Sequence, residues 1–206
     1  AEDLLKSLRC ASRGMQAPKH VRSIDPYETT KRVREITKRV TGKLERNDNA
    51  PAKTENSVVV NSKKDTLVAL ACSTGGPQAL QVMVPMLPAD LPVPIVLVQH
   101  MPAGFTFSLS QRLNEISEVE VKEAQEGDIL KNGVVYIAPG GKHMRVVKKG
   151  TDYCIKLSDE PAIDGLRPCA NVMYESLENC QYDEITCVVL TGMGADGTKG
   201  IQGLAA

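Results

Sequence analysis

The sequence has no tryptophan and only two phenylalanines, and no apolar run approaches the ~20 residues that a membrane-spanning helix needs. None of its six cysteines is paired in C-x-x-C spacing, which argues against a zinc or redox motif. We therefore expect an aliphatic core, no membrane insertion, and free thiols in a reducing, cytoplasmic environment. With 206 residues, no net charge and 42% hydrophobic residues, the chain fits one medium domain with a tail, or two small domains.

Charge divides the chain into two parts. Between residues 14 and 64 there are 12 Lys and Arg against 6 Asp and Glu, whereas acidic residues predominate from residue 66 onward. Residues 1–13 have a short amphipathic helical pattern, and Tyr27–Val40 has a basic one. The composition of residues 14–64 is typical of a linker, and mixed charge of this kind usually marks a solvated surface. Binding of nucleic acid is therefore not expected.

From residue 65 onward the pattern is that of an α/β domain. Three apolar runs have the length of buried strands: Thr66–Cys72, Pro94–Gln99 and Ile185–Thr191. A helical pattern follows each run: Pro77–Leu87, Phe105–Ile116 and the segment after Gly197. Strands of this kind alternating with helices predict a doubly wound, mostly parallel sheet.

Between the second and third of these runs the pattern changes. Val134–Val147 is predicted to form two strands around a turn at Gly140 and Gly141, and Tyr153–Leu157 is a third candidate strand. We interpret this region as a β-hairpin insertion or an antiparallel edge on the parallel sheet.

Polar residues stand just past each buried strand. Ser73 follows the first, His100 the second and Asp196 the third. Because parallel sheets bind ligands at the carboxyl ends of their strands, the three side chains are expected at one edge. A serine hydroxyl needs an adjacent base to act as a nucleophile, and the base needs a third group to orient it. His100 and Asp196 have the chemistry for those two roles.

Other interpretations of the same residues are open. Ser73 or Thr74 fits an ordinary helix cap, and Asp196 fits a turn. His143 is a rival base and Asp159 and Asp164 are rival acids, whereas His20 lies in the linker. The glycine-containing turns at 73–76 and 192–194 also suit a phosphate- or nucleotide-binding module, although neither matches the usual glycine motifs after a first strand.

Three separated motifs carry a resemblance to a known family. Ser-Thr-Gly-Gly-Pro at residues 73–77, Val-Gln-His-Met-Pro at 98–102 and Thr-Gly-Met-Gly-Ala-Asp-Gly at 191–197 resemble the catalytic domain of the chemotaxis protein-glutamate methylesterases, the CheB family. The resemblance covers the chain from about Thr66 to its end. It implies that Ser73 is the nucleophile, His100 the general base and acid, and Asp196 the residue that orients His100.

The resemblance also implies substrate and partners. The substrate would be the glutamate γ-methyl ester of methyl-accepting chemotaxis receptors, with receptor glutamine deamidation as a related activity and no cofactor or metal. A receiver domain, phosphorylated by the chemotaxis kinase, would precede the esterase. Residues 1–13 would then be the receiver's tail, 14–64 a linker, and 65–206 a catalytic domain that is incomplete at its C-terminus. The backbone N–H groups of Thr74 and Met193 are our candidates for binding the oxyanion. The alternative is a non-catalytic regulatory module.

One loop departs from the family pattern. Family members often carry Ser-Val-Asp after an Arg-Pro pair, whereas this chain has Cys169-Ala170-Asn171 after Arg167-Pro168. A hydroxyl and a carboxylate are thereby replaced by a thiol and an amide. The contribution of this loop to the site is therefore open from the sequence.

Overall fold

The computed structural model describes residues 65–205, and the features expected in residues 1–64 lie outside them. A five-stranded, wholly parallel sheet forms the centre of the domain. From one edge to the other, its strands are β3 (Glu120–Glu123), β4 (Val134–Ile137), β2 (Ile95–Gln99), β1 (Thr66–Cys72) and β7 (Glu184–Val189). The prediction of a mostly parallel, covered sheet is confirmed.

Helices cover both faces of this sheet. The helices are α1 (Gly76–Met83), which continues as a 3₁₀ turn over Val84–Met86, α2 (Phe105–Ile116), α3 (Ala170–Leu177) and α4 (Thr198–Leu204). Alternate residues of β1 enter two separate apolar clusters because successive side chains of a strand point to opposite faces. Leu67 and Ala69 belong to the cluster that contains α3, and Leu70 belongs to the cluster that contains α1 and α2.

The predicted β-hairpin insertion is confirmed, but one of the strands assigned to it is wrong. Val134–Ile137 does not pair with the strand after the Gly140 turn but lies in the main sheet, parallel to β2 and β3. The hairpin is formed instead by β5 (His143–Lys149) and β6 (Asp152–Ser158), which includes the third candidate strand. The reason is burial: all four residues of β4 are buried, and such a strand is stable only inside a covered sheet.

Most of the remaining predicted elements are present. β1 has the predicted bounds, β2 begins one residue later, α2 has the predicted bounds, and β7 ends two residues before Thr191. Strand β3 was not predicted because three of its four residues are charged. Helix α3 was also not predicted. No helix within residues 65–205 is long and apolar enough to cross a membrane.

We expect two glycines of α4 to respond in opposite directions to the same substitution. A Cβ at Gly200 would lie 2.6 Å from Tyr174 Cβ and 3.0 Å from the Asn171 carbonyl oxygen, so Gly200→Ala forces α3 and α4 apart. Overpacking of this kind costs about 1–3 kcal/mol of unfolding free energy. At Gly203 the three nearest atoms all belong to the flexible carboxylate of Glu178, so Gly203→Ala gains up to about 1 kcal/mol of helix propensity.

The measurement is urea unfolding of both variants followed by circular dichroism. A lower midpoint for Gly200→Ala beside an equal or higher midpoint for Gly203→Ala is expected. Equal losses in the two variants would show that the close approach of α3 and α4 does not limit the residue at position 200.

Candidate active site

The carboxyl ends of β1, β2 and β7 lie side by side at one edge of the sheet. The register pairs Cys72 with Gln99, so Ser73 and His100 are the next residues on neighbouring strands. On the other side of β1, the Ser73 N–H donates to the Thr191 carbonyl at 2.7 Å. The backbone therefore brings the serine, the histidine and the loop that carries Asp196 to one place.

The turn at Ser73 does not use the serine as a helix cap. The cap of α1 is Gly75, which has a φ of 77° in the left-handed region, and no side chain among residues 65–205 caps the helix. The alternative interpretation of Ser73 or Thr74 as a helix cap is therefore wrong, because the glycine closes the turn with its backbone. The Ser73 side chain is half-buried, and its hydroxyl is left available for chemistry.

The loop after β7 approaches this turn closely. A Cβ at Gly192 would lie 2.7 Å from Ser73 Cβ, so the absence of a side chain there lets the two backbones meet. The Thr191 hydroxyl also donates to the Thr74 carbonyl at 3.1 Å. Within residues 65–205, the N–H groups of Thr74 and Met193 donate to no acceptor. They remain candidates for binding an oxyanion beside Ser73.

His100 is bonded to Asp196. The distance from Nε2 to Asp196 Oδ2 is 2.8 Å, and the side chains are 14% and 8% exposed. An ionised carboxylate only accepts hydrogen bonds, so the neutral imidazole carries its proton on Nε2 and its lone pair on Nδ1. Nδ1 is thus the nitrogen that can take a proton.

Ser73 and His100 are neighbours in the register without a hydrogen bond between their side chains. Among residues 65–205, the Ser73 hydroxyl donates no hydrogen bond to the imidazole. Catalytic hydrogen bonds of this type are often long or poorly aligned until substrate binds. The structure therefore relates Ser73 and His100 through their backbones, as adjacent residues on neighbouring strands.

The Asp196 carboxylate also lies at the N-terminus of α3. Its oxygens accept hydrogen bonds from the backbone N–H groups of Ala170 at 2.6 Å and Asn171 at 2.9 Å, and from the Cys169 thiol at 3.1 Å. Burial raises the pKa of Asp196, but the hydrogen bonds from His100, Ala170, Asn171 and Cys169 lower it more, so the net pKa lies well below the usual range. Asp196 is ionised whenever the protein is folded near neutral pH.

The side chain of Asn171, in turn, accepts hydrogen bonds from the segment that follows Asp196. Its side-chain oxygen accepts hydrogen bonds from the N–H groups of Gly197 at 3.1 Å and Gly200 at 2.9 Å, at the start of α4. The loop over residues 169–171 is therefore hydrogen-bonded both to Asp196 and to the start of α4. Cys169 supplies a donor to Asp196, and Asn171 supplies an acceptor to α4.

The rival residues do not reach this edge. His143 is fully buried; its Nε2 faces the Pro161 carbonyl at 3.1 Å, and its Nδ1 accepts from the Cys169 N–H at 3.3 Å. Both ring nitrogens are therefore occupied. Asp159 pairs with Lys142 at 3.1 Å on the surface, and Asp164 is an exposed turn residue with a φ of 50°. His20 lies outside the described residues.

Sequence reasoning missed the residues that support this site. Helix α3 donates two backbone N–H groups to Asp196, and Gln99 makes hydrogen bonds to the backbone of both Ser73 and His100. A polar side chain at the end of an otherwise apolar strand was the available signal for Gln99. In residues 65–205 no group of three or more His, Cys, Asp or Glu side chains is arranged to hold a metal ion.

A parallel α/β sheet with a serine and a histidine–aspartate pair at its carboxyl edge resembles the class of serine hydrolases. The chain order Ser, His, Asp differs from the Ser, Asp, His order of the α/β-hydrolases. A family model, the CheB methylesterase family, matches residues 68–206. The chain belongs to this family.

Known proteins of the family are similar to the chain. A protein-glutamate methylesterase/protein-glutamine glutaminase of Oceanobacillus iheyensis is 43% identical over 188 residues, which are 89% of this chain and 53% of that protein. One of Halalkalibacterium halodurans is 47% identical over 139 residues, which are 68% and 40%. The crystal structure of the Thermotoga maritima CheB methylesterase catalytic domain is 40% identical, with a TM-score of 0.64 over 68% of this chain and 75% of that one. The chain thus spans about half or less of the length of these curated relatives.

We expect Asp196 to make the free energy of unfolding fall at low pH. An aspartate in the unfolded chain has a pKa of about 3.9, and the folded pKa is lower. Stability from this group is therefore present above about pH 4 and is lost as the pH falls towards the folded pKa. Asp196→Asn removes this contribution and also turns an amide N–H₂ towards a backbone N–H of α3.

Urea unfolding at pH 7 and at pH 3 checks this expectation. The midpoint of Asp196→Asn should lie below that of wild type at pH 7, and the difference should shrink at pH 3. Asp90→Asn, a substitution in an exposed turn, is the matched control and should follow wild type at both pH values. A difference that stays constant with pH would contradict the assigned hydrogen bonds.

Proposed function

We propose that this chain carries the catalytic part of a protein-glutamate methylesterase, with Ser73 as nucleophile, His100 as general base and acid, and Asp196 as the residue that orients His100. The observation that carries the proposal is the 2.8 Å hydrogen bond between His100 and the ionised Asp196, whose side chain is 8% exposed. His100 and Ser73 are each the first residue past two neighbouring parallel strands. The similarity to two protein-glutamate methylesterase/protein-glutamine glutaminases supports this activity.

In the first half of the reaction the Ser73 oxygen attacks the carbonyl carbon of a glutamate γ-methyl ester. His100 Nδ1 takes the hydroxyl proton, and the Asp196 carboxylate offsets the charge of the imidazolium through Nε2–H. The tetrahedral intermediate then breaks its bond to the methoxy group. His100 returns the proton to that oxygen, so methanol leaves and an acyl-enzyme remains.

In the second half, His100 takes a proton from water, and the resulting hydroxide attacks the acyl carbon. Collapse of the second tetrahedral intermediate returns the proton to Ser73 and releases glutamate. Both intermediates carry a negative oxygen that needs hydrogen-bond donors. We assign the N–H groups of Thr74 and Met193 to this task, because both lie beside Ser73 and donate to nothing else among residues 65–205.

The proposal extends to glutamine, whose amide carbonyl presents the same geometry with ammonia as the leaving group. It also includes methyl-accepting chemotaxis receptors as substrates and a cytoplasmic location. In the proposed domain layout, residues 1–13 are the end of a receiver domain that the chemotaxis kinase phosphorylates. Residues 14–64 are a linker, and residues 65–206 are the catalytic domain. The match to the Oceanobacillus relative extends over 188 residues, more than residues 65–206 contain, so it includes part of the chain before residue 65. This supports the proposal that the segment before the catalytic domain belongs to the same kind of protein. The alternative of a phosphate-binding turn is disfavoured by the ionised carboxylate at the same edge.

Ser73→Ala is expected to abolish methanol release while it leaves the fold intact, because the half-buried hydroxyl makes no hydrogen bond that the fold needs within residues 65–205. Loss of a serine nucleophile lowers turnover by on the order of a millionfold. The assay uses a methyl-esterified receptor fragment as substrate and measures released methanol.

Labelling by a serine-directed fluorophosphonate gives an independent readout. The wild-type chain should be labelled at one site, and Ser73→Ala and His100→Gln should not be labelled. Ser108→Ala, at an exposed serine of α2, is the matched control and should behave as wild type. Undiminished methanol release from Ser73→Ala would remove the assignment.

A further inference from the structure

Gln99 is a buried polar residue at the end of an apolar strand. The other four residues of β2 are Ile, Val, Leu and Val, and Gln99 itself is 1% exposed. Burying an amide without partners costs several kcal/mol on apolar transfer scales, so a glutamine in this position must be held by specific hydrogen bonds. Its partners therefore show what it does.

Those partners are the backbones of the two residues at the centre of the site. Gln99 Nε2 donates to the carbonyl oxygen of Ser73 at 3.0 Å and to the carbonyl oxygen of His100 at 3.2 Å. Its Oε1 accepts from the Cys72 thiol at 3.1 Å. A single side-chain amide thus joins the first residue past β1 to the first residue past β2.

Space for this amide is provided by Gly76. A Cβ at position 76 would lie 1.8 Å from Gln99 Oε1 and 2.9 Å from its Cδ, so any larger residue would displace the glutamine. The φ angle of Gly76 is not in the left-handed region, which means that backbone conformation does not require glycine there. The second glycine of the Ser73 turn is therefore explained by Gln99.

The hydrogen bonds of the Gln99 amide follow directly after the last backbone hydrogen bond between β1 and β2. The last backbone hydrogen bond of the pair runs from the His100 N–H to the Cys72 carbonyl at 3.1 Å. No backbone hydrogen bond within residues 65–205 joins Ser73 directly to His100. Among residues 65–205, the Gln99 amide is the only group that donates to the His100 carbonyl.

We propose that Gln99 is a positioning residue that sets the separation between Ser73 and His100. The inference rests on the proposed function, since the separation matters only if His100 takes the Ser73 proton. Proton transfer between two side chains tolerates little error, and a displacement of about 1 Å can cost on the order of a hundredfold in rate. Because the Gln99 amide is bonded to the main chains of both Ser73 and His100, it limits their relative displacement before substrate binds.

The test is the kinetics of Ser73 labelling by a fluorophosphonate in Gln99→Met, which keeps the volume of the side chain and removes both donors. The second-order rate of labelling should fall by about 10- to 100-fold, while the labelled fraction at the endpoint stays complete. A role in folding alone would instead lower the endpoint and leave the rate of the folded molecules unchanged. That result, or a wild-type rate with a full endpoint, would overturn the proposal.

Gly76→Ala provides a second variant that keeps the glutamine but pushes it from its place, and it should slow labelling in the same way. Cys72→Ala is the matched control: it disturbs the same buried contact, keeps both amide donors of Gln99, and should be labelled at a rate close to that of wild type. If Gly76→Ala and Cys72→Ala are labelled equally fast, the proposal is wrong. If the wild-type chain is not labelled at all, the proposed function is wrong, and this inference falls with it.

Discussion

The hydrogen bonds around the Asp196 carboxylate are the interaction on which this edge of the sheet depends. A single buried negative charge accepts from two backbone N–H groups of α3, from the Cys169 thiol and from the His100 imidazole. A charge in this place is stable only because every partner is present, since an ionised carboxylate without donors would be neutralised. The same bonds begin a helix and orient the proposed base, so fold and chemistry cannot be changed independently here.

The start of α4 depends on the same loop. Asn171 accepts from Gly197 and Gly200, while Asp196, in the turn before α4, accepts at the start of α3. Each segment thus accepts from two backbone N–H groups at the beginning of the other helix. This exchange holds the loop in position through a donor at residue 169 and an acceptor at residue 171. The Cys169 thiol is the donor, and the Asn171 side-chain oxygen is the acceptor.

Sequence reasoning failed where the deciding contacts are distant along the chain. Strand β3 carries charged residues that an edge position tolerates, and no local pattern shows that β4 shields one side of it. The pairing of β4 was misassigned because a short apolar strand fits a hairpin and a parallel sheet equally well from its own residues. The alternative of a helix cap at Ser73 or Thr74 stayed open in the sequence because Gly75 closes the turn by its backbone conformation, which side-chain preferences do not reveal. Gln99 was passed over because its partners lie on another strand.

The sequence by itself determined the class of fold, the positions of β1, β2 and α2, and the sheet edge at which Ser73, His100 and the loop that carries Asp196 follow three strands. These follow from periodicity and from the rule that parallel strands end at a common edge, both of which are local or general. Only the tertiary structure decided that Asp196 rather than another acid bonds His100, that His143 is a fully bonded core residue, and that Gln99 links the two strand ends. These hydrogen bonds depend on differences of a few tenths of an ångström in the distance between groups that are far apart in the chain. The spacing of residues in a sequence does not carry that information.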